Sequence, residues 1–196
     1  MSAFTAPPTA GRLAAGLRSR GRLETCGLRL EKPRSQAPSP RPMVLSPSEA
    51  QVFVERARSA DQRIVFTNGV FDVLHPGHVR YLRDARALGD LLIVGVNSDR
   101  SARALGKPPD RPINPEGERA EVLAALASVD AVVVFDEDTP HAIISALQPD
   151  ILVKGADWGA DAIVGRDVVE LRGGRVVRIE LAKGYSTTAI LDRIRR

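Results

Sequence analysis

With 196 residues, 43% of them hydrophobic, the chain can bury one good-sized core, whereas two full domains would be cramped. Its single cysteine, Cys26, excludes an internal disulfide and a cysteine-rich zinc site, and without an uncharged apolar run of about eighteen residues we expect no membrane span. The formal net charge of +4 invites a nucleic-acid function, but the location of the charges argues against one.

Residues 1–42 are a basic segment rich in Arg, Pro, Ser, Gly and Ala, without a helix or strand period. They carry eight Lys or Arg and two Asp or Glu, which leaves 20 basic and 22 acidic residues in 43–196. The remainder is close to neutral, so we expect no nucleic-acid partner. We predict a disordered or partly ordered tail whose role stays open: an inert tail, a targeting segment, or an over-extended start before Met43.

From Met43 onward, helix and strand patterns alternate. Ser46, Pro47 and Glu49 have the chemistry of a capping box and predict a helix to about Ala60. Runs rich in Val, Ile and Leu predict buried strands at 63–67, 90–99, 131–135, 151–155 and 175–179. Helical patterns follow them at 78–89, 116–127, 139–147, 164–172 and 187–195. The alternation predicts one α/β domain, residues 43–196, with a Rossmann-like, doubly wound, parallel five-stranded sheet.

Polar and glycine-containing segments follow four of the predicted strands. They are Thr67-Asn68-Gly69, Asn97-Ser98-Asp99, Lys154-Gly155 and residues 184–188. Ligands of such sheets bind beyond the carboxyl ends of the strands, where the strand order reverses. We therefore expect these segments to converge on one ligand site.

Two of the three histidines, His75 and His78, flank a Pro-Gly pair at the start of a predicted helix. A metal pair, a phosphate-binding pair and simple helix capping are the competing interpretations. Zinc needs a third or fourth ligand, but the other histidine, His141, lies far along the chain and Asp72 is the one carboxylate close by. A helix N-terminus supplies N–H groups and a positive dipole, and Gly77 allows close approach. The pattern favours phosphate.

Three further features have two interpretations each. Lys154 ends a valine-rich strand, where an unpaired buried charge is costly, so a ligand contact explains it better than packing. The hydroxyls of 186–188 fit a helix N-cap, a phosphate contact, or both. The acidic run 136–138 fits a solvated helix start better than a metal site.

The first strand and turn lack GxGxxG, which argues against an oxidoreductase.

The segment TNGVFDVLHPGHVRYLRDARALGD, residues 67–90, resembles the HxGH nucleotidyltransferase superfamily. Further segments look like the adenylyltransferase domain of ADP-heptose synthases, in the same order, and extend the resemblance from about Ser46 to Arg196. These segments are residues 96–101, 106–119, 129–140, 149–158, 163–170 and 184–191.

The resemblance implies transfer of an adenylyl group from ATP to a sugar 1-phosphate, with D-glycero-D-manno-heptose 1-phosphate as the expected acceptor. It implies in-line attack at the α-phosphorus, with Mg²⁺ held mainly through the triphosphate and no metal site made by the protein. It assigns catalytic contacts to His75, His78, Lys107 and Lys154, and the substrate phosphate to Arg111. The nucleotide-binding residues would be Thr67, Asn68, Gly69, Phe71, Gly77, Asn97, Arg119, Gly155, Asp157, Ser186, Thr187 and Thr188.

Several alternatives stay open. Solvated charge would also explain Lys107 and Arg111, and an ion pair would explain Arg119. GTP or CTP would replace ATP in a GDP-heptose or glycerol-phosphate enzyme, and a non-catalytic nucleotide-binding regulator is a different class. The best-known members carry a fused sugar kinase, for which residues 1–42 are too short, so we expect a separate kinase. We also expect a cytoplasmic location and, from the resemblance alone, a homodimer.

Overall fold

The computed structural model describes residues 43–106, 108, 110–156, 159, 163–182 and 184–196. The predictions made for the tail 1–42, for Lys107 and for Asp157 lie outside these described residues. Within the described ranges, no helix is long and apolar enough to cross a membrane.

A parallel sheet forms the centre of the described chain. Its strands are β1 (Met43–Leu45), β2 (Ile64–Gly69), β3 (Leu91–Asn97), β4 (Ala131–Phe135), β5 (Ile151–Gly155) and β6 (Arg175–Ile179). They lie in the order β1-β4-β3-β2-β5-β6, and every pairing is parallel. The parallel α/β fold is confirmed, but the sheet has one strand more than predicted. The sequence misses β1, because three residues are too few to show a strand period.

Seven helices connect or follow the described strands. They are α1 (Pro47–Ser59), α2 (Pro76–Arg86), α3 (Asp99–Ala104), α4 (Glu116–Ala124), α5 (His141–Leu147), α6 (Arg166–Leu171) and α7 (Thr187–Ile194). The capping box of α1 is present, since Ser46 Oγ accepts from the Glu49 N–H and the Glu49 carboxylate accepts from the Ser46 N–H. The short helix α3 is not predicted, although Ser98 caps it through Ser101 N.

Both faces of the sheet are buried, because neighbouring residues of each strand point to opposite sides. On β2, Ile64 and Phe66 pack against α1, α5 and α6, while Val65 packs on the side of α2 and α4. All three side chains have no exposed surface. The two-sided packing makes the sheet a rigid base whose carboxyl edge carries the polar segments.

Strand order reverses between β2 and β5. From β2 the chain builds outward through β3 and β4, and it then returns to place β5 on the other flank of β2. The carboxyl ends of β2 and β5 therefore lie side by side at the crevice where sheets of this type bind ligands. Asn68 and Lys154 occupy these two ends.

Candidate active site

His75 and His78 lie at the start of α2, immediately beyond the carboxyl end of β2. Their rings stack, with centroids 3.8 Å apart and planes inclined by 15°. His75 is the N-cap residue, but its side chain makes no capping hydrogen bond, so capping does not explain its presence. A Cβ on Gly77 would lie 3.0 Å from the His75 ring and 3.1 Å from Tyr185 Cβ. Glycine at this position lets the first turn of α2 pack beneath the imidazole.

His75 carries a buried nitrogen that needs explanation. Its Nδ1 has almost no exposed surface and finds no hydrogen-bond partner among the described residues. Burial lowers the pKa of His75, which favours the neutral ring. A buried polar atom without a partner is costly in a finished protein interior, and this one lies at the N-terminus of α2, where the helix dipole is positive. This arrangement is suited to a ligand that brings negative charge and hydrogen-bond acceptors.

Lys154 supplies a cation at the crevice, and only 7% of its surface is exposed. Its Nζ donates to Asn68 Oδ1 across the gap between β5 and β2. The hydroxyl of Thr67 is turned inward, where it contacts Val153 O at 3.0 Å and Tyr81 Oη at 2.7 Å. Thr67 is fully buried between β3 and β5, and its hydroxyl is engaged within the protein, whereas Asn68 and Lys154 lie at the ends of their strands.

The backbone before His75 is strained. Phe71 and Val73 have φ angles of 50° and 49°, in the left-handed region that a β-branched residue such as Val rarely adopts. Strain of this kind costs on the order of 1–3 kcal/mol per residue and persists where surrounding contacts enforce it. The Phe71 ring is buried and lies edge-on to His78, with centroids 5.5 Å apart. The strained turn thus sets the position of the histidine pair.

Asp72, between the two strained residues, joins separate segments of the site. Its carboxylate accepts from Arg111 Nε at 2.5 Å and from the main-chain N–H groups of Ile113 at 3.0 Å and Asn114 at 3.1 Å. Its carbonyl accepts from Thr187 Oγ1 at 2.8 Å. Burial alone would raise the pKa of Asp72, but these N–H groups and Arg111 lower it. Most of its acceptor capacity is used, which leaves little for the metal interpretation.

Arg119 is the most deeply buried cation named by the sequence, with 2% of its surface exposed. It donates to the carbonyls of Asn114, Val70 and Asn97 and forms an ion pair with Asp99 at 2.8 Å. These bonds use four of its five N–H groups. The structure thus supports the ion-pair alternative, and Arg119 ties together the ends of β2, β3 and the start of α4 instead of offering a free guanidinium to a nucleotide.

The remaining predicted contacts are distributed around this crevice. Asn97 is buried, and its amide donates to Ser101 Oγ at 2.9 Å. Ser186 is the N-cap of α7, where its hydroxyl accepts from the Ala189 N–H at 3.0 Å, so the capping interpretation holds for this residue. Thr188 is exposed on the first turn of α7, and Gly155 is half-buried at the end of β5. Two helix N-termini, those of α2 and α7, therefore border the same crevice.

Sequence reasoning misses Tyr185, which precedes the N-cap of α7. Its ring lies nearly parallel to that of His75, with centroids 6.3 Å apart, and the Arg80 guanidinium lies 5.1 Å from its centre. A single aromatic residue in a loop carries no periodic signal, although its place between Gly184 and the hydroxyl run was visible.

The acidic run 136–138 forms ion pairs: Asp136 and Asp138 both pair with Arg100.

A cleft of about 430 Å³ lies at the opposite, amino edge of the sheet, between Arg63, Asp150, Arg172 and Arg175. It contains none of the residues predicted for the ligand site. Two of its carboxylates are occupied by main-chain groups, since Asp90 accepts from the Arg63 N–H and Asp150 from the Ile64 N–H. The carboxyl edge, with its buried unpartnered nitrogen and reversed strand order, is the better candidate for the active site.

Comparison with known proteins gives a consistent picture. Residues 66–193 match the family model described as cytidylyltransferase-like. The chain is 55% identical over 150 residues to the bifunctional protein HldE of Hyphomonas neptunium and 58% identical over 141 residues to that of Syntrophotalea carbinolica. These matches cover 76% and 72% of this chain but 31% and 28% of the relatives, so the chain spans about three tenths of their length.

One solved structure is similar along nearly its whole length. It is described as the lipopolysaccharide core biosynthesis protein from Thermoplasma volcanium GSS1. The two are 32% identical, with a TM-score of 0.55, and the match covers 62% of this chain and 99% of the other.

Proposed function

This chain belongs to the cytidylyltransferase-like family, the HxGH nucleotidyltransferases, and on that premise we propose that it transfers an adenylyl group from ATP to a sugar 1-phosphate. The acceptor we propose is D-glycero-D-manno-heptose 1-phosphate, and the products are ADP-heptose and pyrophosphate. The similarity to the HldE proteins supports this choice over other members of the family. The family match also agrees with the resemblance carried by residues 67–90.

The observation that best supports nucleotidyl transfer is the placement of the His75–His78 pair. The stacked rings lie at the N-terminus of α2, the buried Nδ1 of His75 has no partner among the described residues, and Lys154 lies at the adjacent end of β5. Such a crevice can stabilise the negative charge of a transferring phosphate. It needs no covalent intermediate, because the acceptor phosphate oxygen attacks the α-phosphorus in line and pyrophosphate leaves.

We assign roles accordingly. His75, His78 and Lys154 would donate to the triphosphate and to the transition state, and Arg111 would receive a substrate phosphate. Lys107 and Asp157, which lie outside the described residues, keep the catalytic and nucleotide-binding roles that the resemblance implies. Gly69 and Gly155 would allow close approach of the nucleotide to the ends of β2 and β5.

Mg²⁺ fits this site as a companion of the triphosphate. Among the described residues, no group of three or more His, Cys, Asp or Glu side chains could hold a metal ion, and Asp72 is engaged by Arg111. Triphosphate oxygens and water are therefore the ligands we propose for Mg²⁺, which supplies additional positive charge to the phosphates when bound. The protein's own contribution is to orient the phosphates with His75, His78 and Lys154.

The relatives carry more sequence than this chain does, and their printed name calls them bifunctional. We propose that the sugar 1-phosphate is supplied by a separate sugar kinase. We also propose that the enzyme works in the cytoplasm, where ATP is made, and that two copies associate.

The test is a panel of ATP, GTP, CTP and UTP against heptose 1-phosphates of both anomers and glycerol 3-phosphate, followed by pyrophosphate release. We expect release with ATP and a heptose 1-phosphate. Release with CTP and glycerol phosphate alone would overturn the heptose assignment, and release with GTP alone would identify a GDP-heptose enzyme. Absence of release in every combination, with retained ATP binding, would indicate a non-catalytic nucleotide-binding regulator.

A further inference from the structure

Arg111 is buried and only partly satisfied. Its side chain is 8% exposed, and its Nε donates to Asp72. Within the described part of the chain, no residue accepts a hydrogen bond from its two Nη groups. These two groups are not fully buried. A guanidinium has five N–H donors, so four remain for something else. The Nη groups therefore still reach the surface of an otherwise buried side chain, where a ligand can accept from them in place of water.

The contact with Asp72 leaves the most useful edge of the guanidinium available. The carboxylate takes the Nε side, so the two Nη groups remain as a planar fork. A fork of this kind matches two oxygens of a phosphate group, and arginine is favoured over lysine wherever this geometry is needed. The Asp72 charge compensates the arginine while no ligand is bound, which permits the burial.

Asp72 holds more than the arginine. Its two other carboxylate contacts fix the main chain of Ile113 and Asn114, so residues 111–114 are positioned as one unit. Its carbonyl is bonded to Thr187 at the start of α7, and it precedes His75 by one short turn. The strained φ angles of Phe71 and Val73 on both sides require contacts that enforce them, and the four bonds of Asp72 are such contacts.

We propose that Asp72 is a positioning residue that holds Arg111 so that its Nη groups receive a phosphate group of the substrates. This inference rests on the proposed function and adds to it. Asp72 touches no substrate and acts through Arg111. The phosphate belongs to the sugar 1-phosphate or to the triphosphate, and kinetics of the two substrates distinguish these sources.

The experiment compares Asp72→Asn, Arg111→Ala and the double variant, with Arg83→Ala as the control for loss of one surface positive charge on α2. We expect Asp72→Asn to raise the KM of the substrate that carries the phosphate about tenfold or more, and to change kcat less. A raised KM for the sugar phosphate identifies the acceptor, and a raised KM for ATP identifies the triphosphate. Unchanged KM values for both would overturn the proposal.

Coupling decides whether Asp72 acts through Arg111. The double variant should lose no more than Arg111→Ala alone, within about twofold. Asp72→Asn keeps one side-chain oxygen for the main chain of 113–114, and the charge that it removes acts on Arg111, which the double variant already lacks. Losses that multiply would overturn the positioning role. If Asp72→Asn lowers the melting temperature too far for kinetics, Arg111→Lys keeps the charge and removes the fork, and the same rise in KM is expected.

A binding measurement separates this inference from the proposed function. Calorimetric titration of the wild-type protein with inorganic phosphate should show binding that Arg111→Ala weakens about tenfold and Arg83→Ala leaves unchanged. This result supports the Arg111 site even if no nucleotide and acceptor pair reacts. Equal phosphate binding by wild type and Arg111→Ala would overturn it, even if the enzyme makes ADP-heptose.

Discussion

The imidazole of His75 is favoured in its neutral form when no ligand is bound. Two imidazolium ions with ring centroids 3.8 Å apart would repel each other, and burial lowers the pKa of His75 below its ordinary value of 6.5. A bound triphosphate reverses this balance, because negative charge beside the ring favours its protonated form. The pair is thus a site where phosphate binding and proton binding are linked.

Proton uptake on ATP binding follows from this linkage. Near pH 6.5 His75 is mostly neutral without nucleotide, so binding of ATP should be accompanied by proton uptake at the His75 ring. Calorimetry of ATP binding in buffers of different ionisation enthalpy measures the number. His75→Asn should remove most of the uptake, and an unchanged uptake in that variant would contradict the assignment.

The same lowered pKa has a consequence for stability. A histidine whose folded-state pKa lies below the unfolded value binds its proton more readily when unfolded. The unfolding free energy should therefore fall as the pH drops from 6.5 through the folded-state pKa of His75. Denaturant unfolding at a series of pH values measures it, and His75→Asn should flatten the dependence in that window. An identical pH dependence in the two proteins would contradict the burial argument.

His78 provides the sharpest kinetic prediction at this scale. His78→Ala should leave ATP binding measurable but reduce kcat about 100-fold or more, because a donor aimed at the transition state contributes little to the ground state. Single-turnover kinetics with saturating ATP measures the effect. Wild-type turnover in this variant would rule out a catalytic role and favour a regulator that only binds nucleotide.

At the scale of the element, sequence signals succeed where a helix or strand is long or chemically capped. Ser46 and Glu49 predict the start of α1, and Ser186 predicts the start of α7, because capping depends on neighbours in sequence. The strand β1 and the helix α3 are missed, since three and six residues are too short for a period to rise above chance. Several helices are also a turn or less shorter than their patterns, as helix ends depend on tertiary contacts.

Gly77 and Gly117 offer a matched test of how α2 supports the site. Each is the second residue of its helix, but a Cβ on Gly77 meets His75 and Tyr185 at 3.0–3.1 Å, and a Cβ on Gly117 meets nothing within 4 Å. Gly77→Ala should therefore lower kcat/KM at least about tenfold by displacing the His75 ring. Gly117→Ala should keep activity and raise stability by up to about 1 kcal/mol.

Steady-state kinetics and denaturant unfolding of both variants check this expectation. Equal activity of the two alanine variants would show that the first turn of α2 tolerates the added methyl group and that the packing beneath His75 is not needed for turnover.

At the scale of the molecule, the general position of the candidate site was predictable from the sequence, but the ion pairs and hydrogen bonds within it were not. Parallel strands bring Asn68 and Lys154 to one edge whatever the details, so the convergence follows from the alternation of helices and strands. The pairing of Asp72 with Arg111 and the burial of Arg119 depend on loop conformations set by distant contacts. A sequence pattern shows that these side chains are polar, but it does not show whether their hydrogen-bond partners belong to the protein or to a ligand.

The two edges of the sheet should differ in their tolerance of change. Arg175 lines the cleft at the amino edge, away from every residue proposed for the site. Arg175→Ala should keep kcat and both KM values within about twofold, whereas Lys154→Ala at the carboxyl edge should lower kcat/KM about 100-fold. Steady-state kinetics of the two variants decides it. A loss of tenfold or more in Arg175→Ala would place part of the function at the amino edge.

The long separations across the crevice bear on when activity can first exist. Asn68 and Lys154 are 86 residues apart in the chain, and Asp72 is bonded to a residue 115 positions later, Thr187. During synthesis the histidine turn leaves the ribosome before the strand and the helix that complete the crevice. A nascent chain therefore has no complete crevice until β5 and α7 have emerged, and the turn at Phe71 and Val73 gains the last of its enforcing contacts, the bond to Thr187, only then.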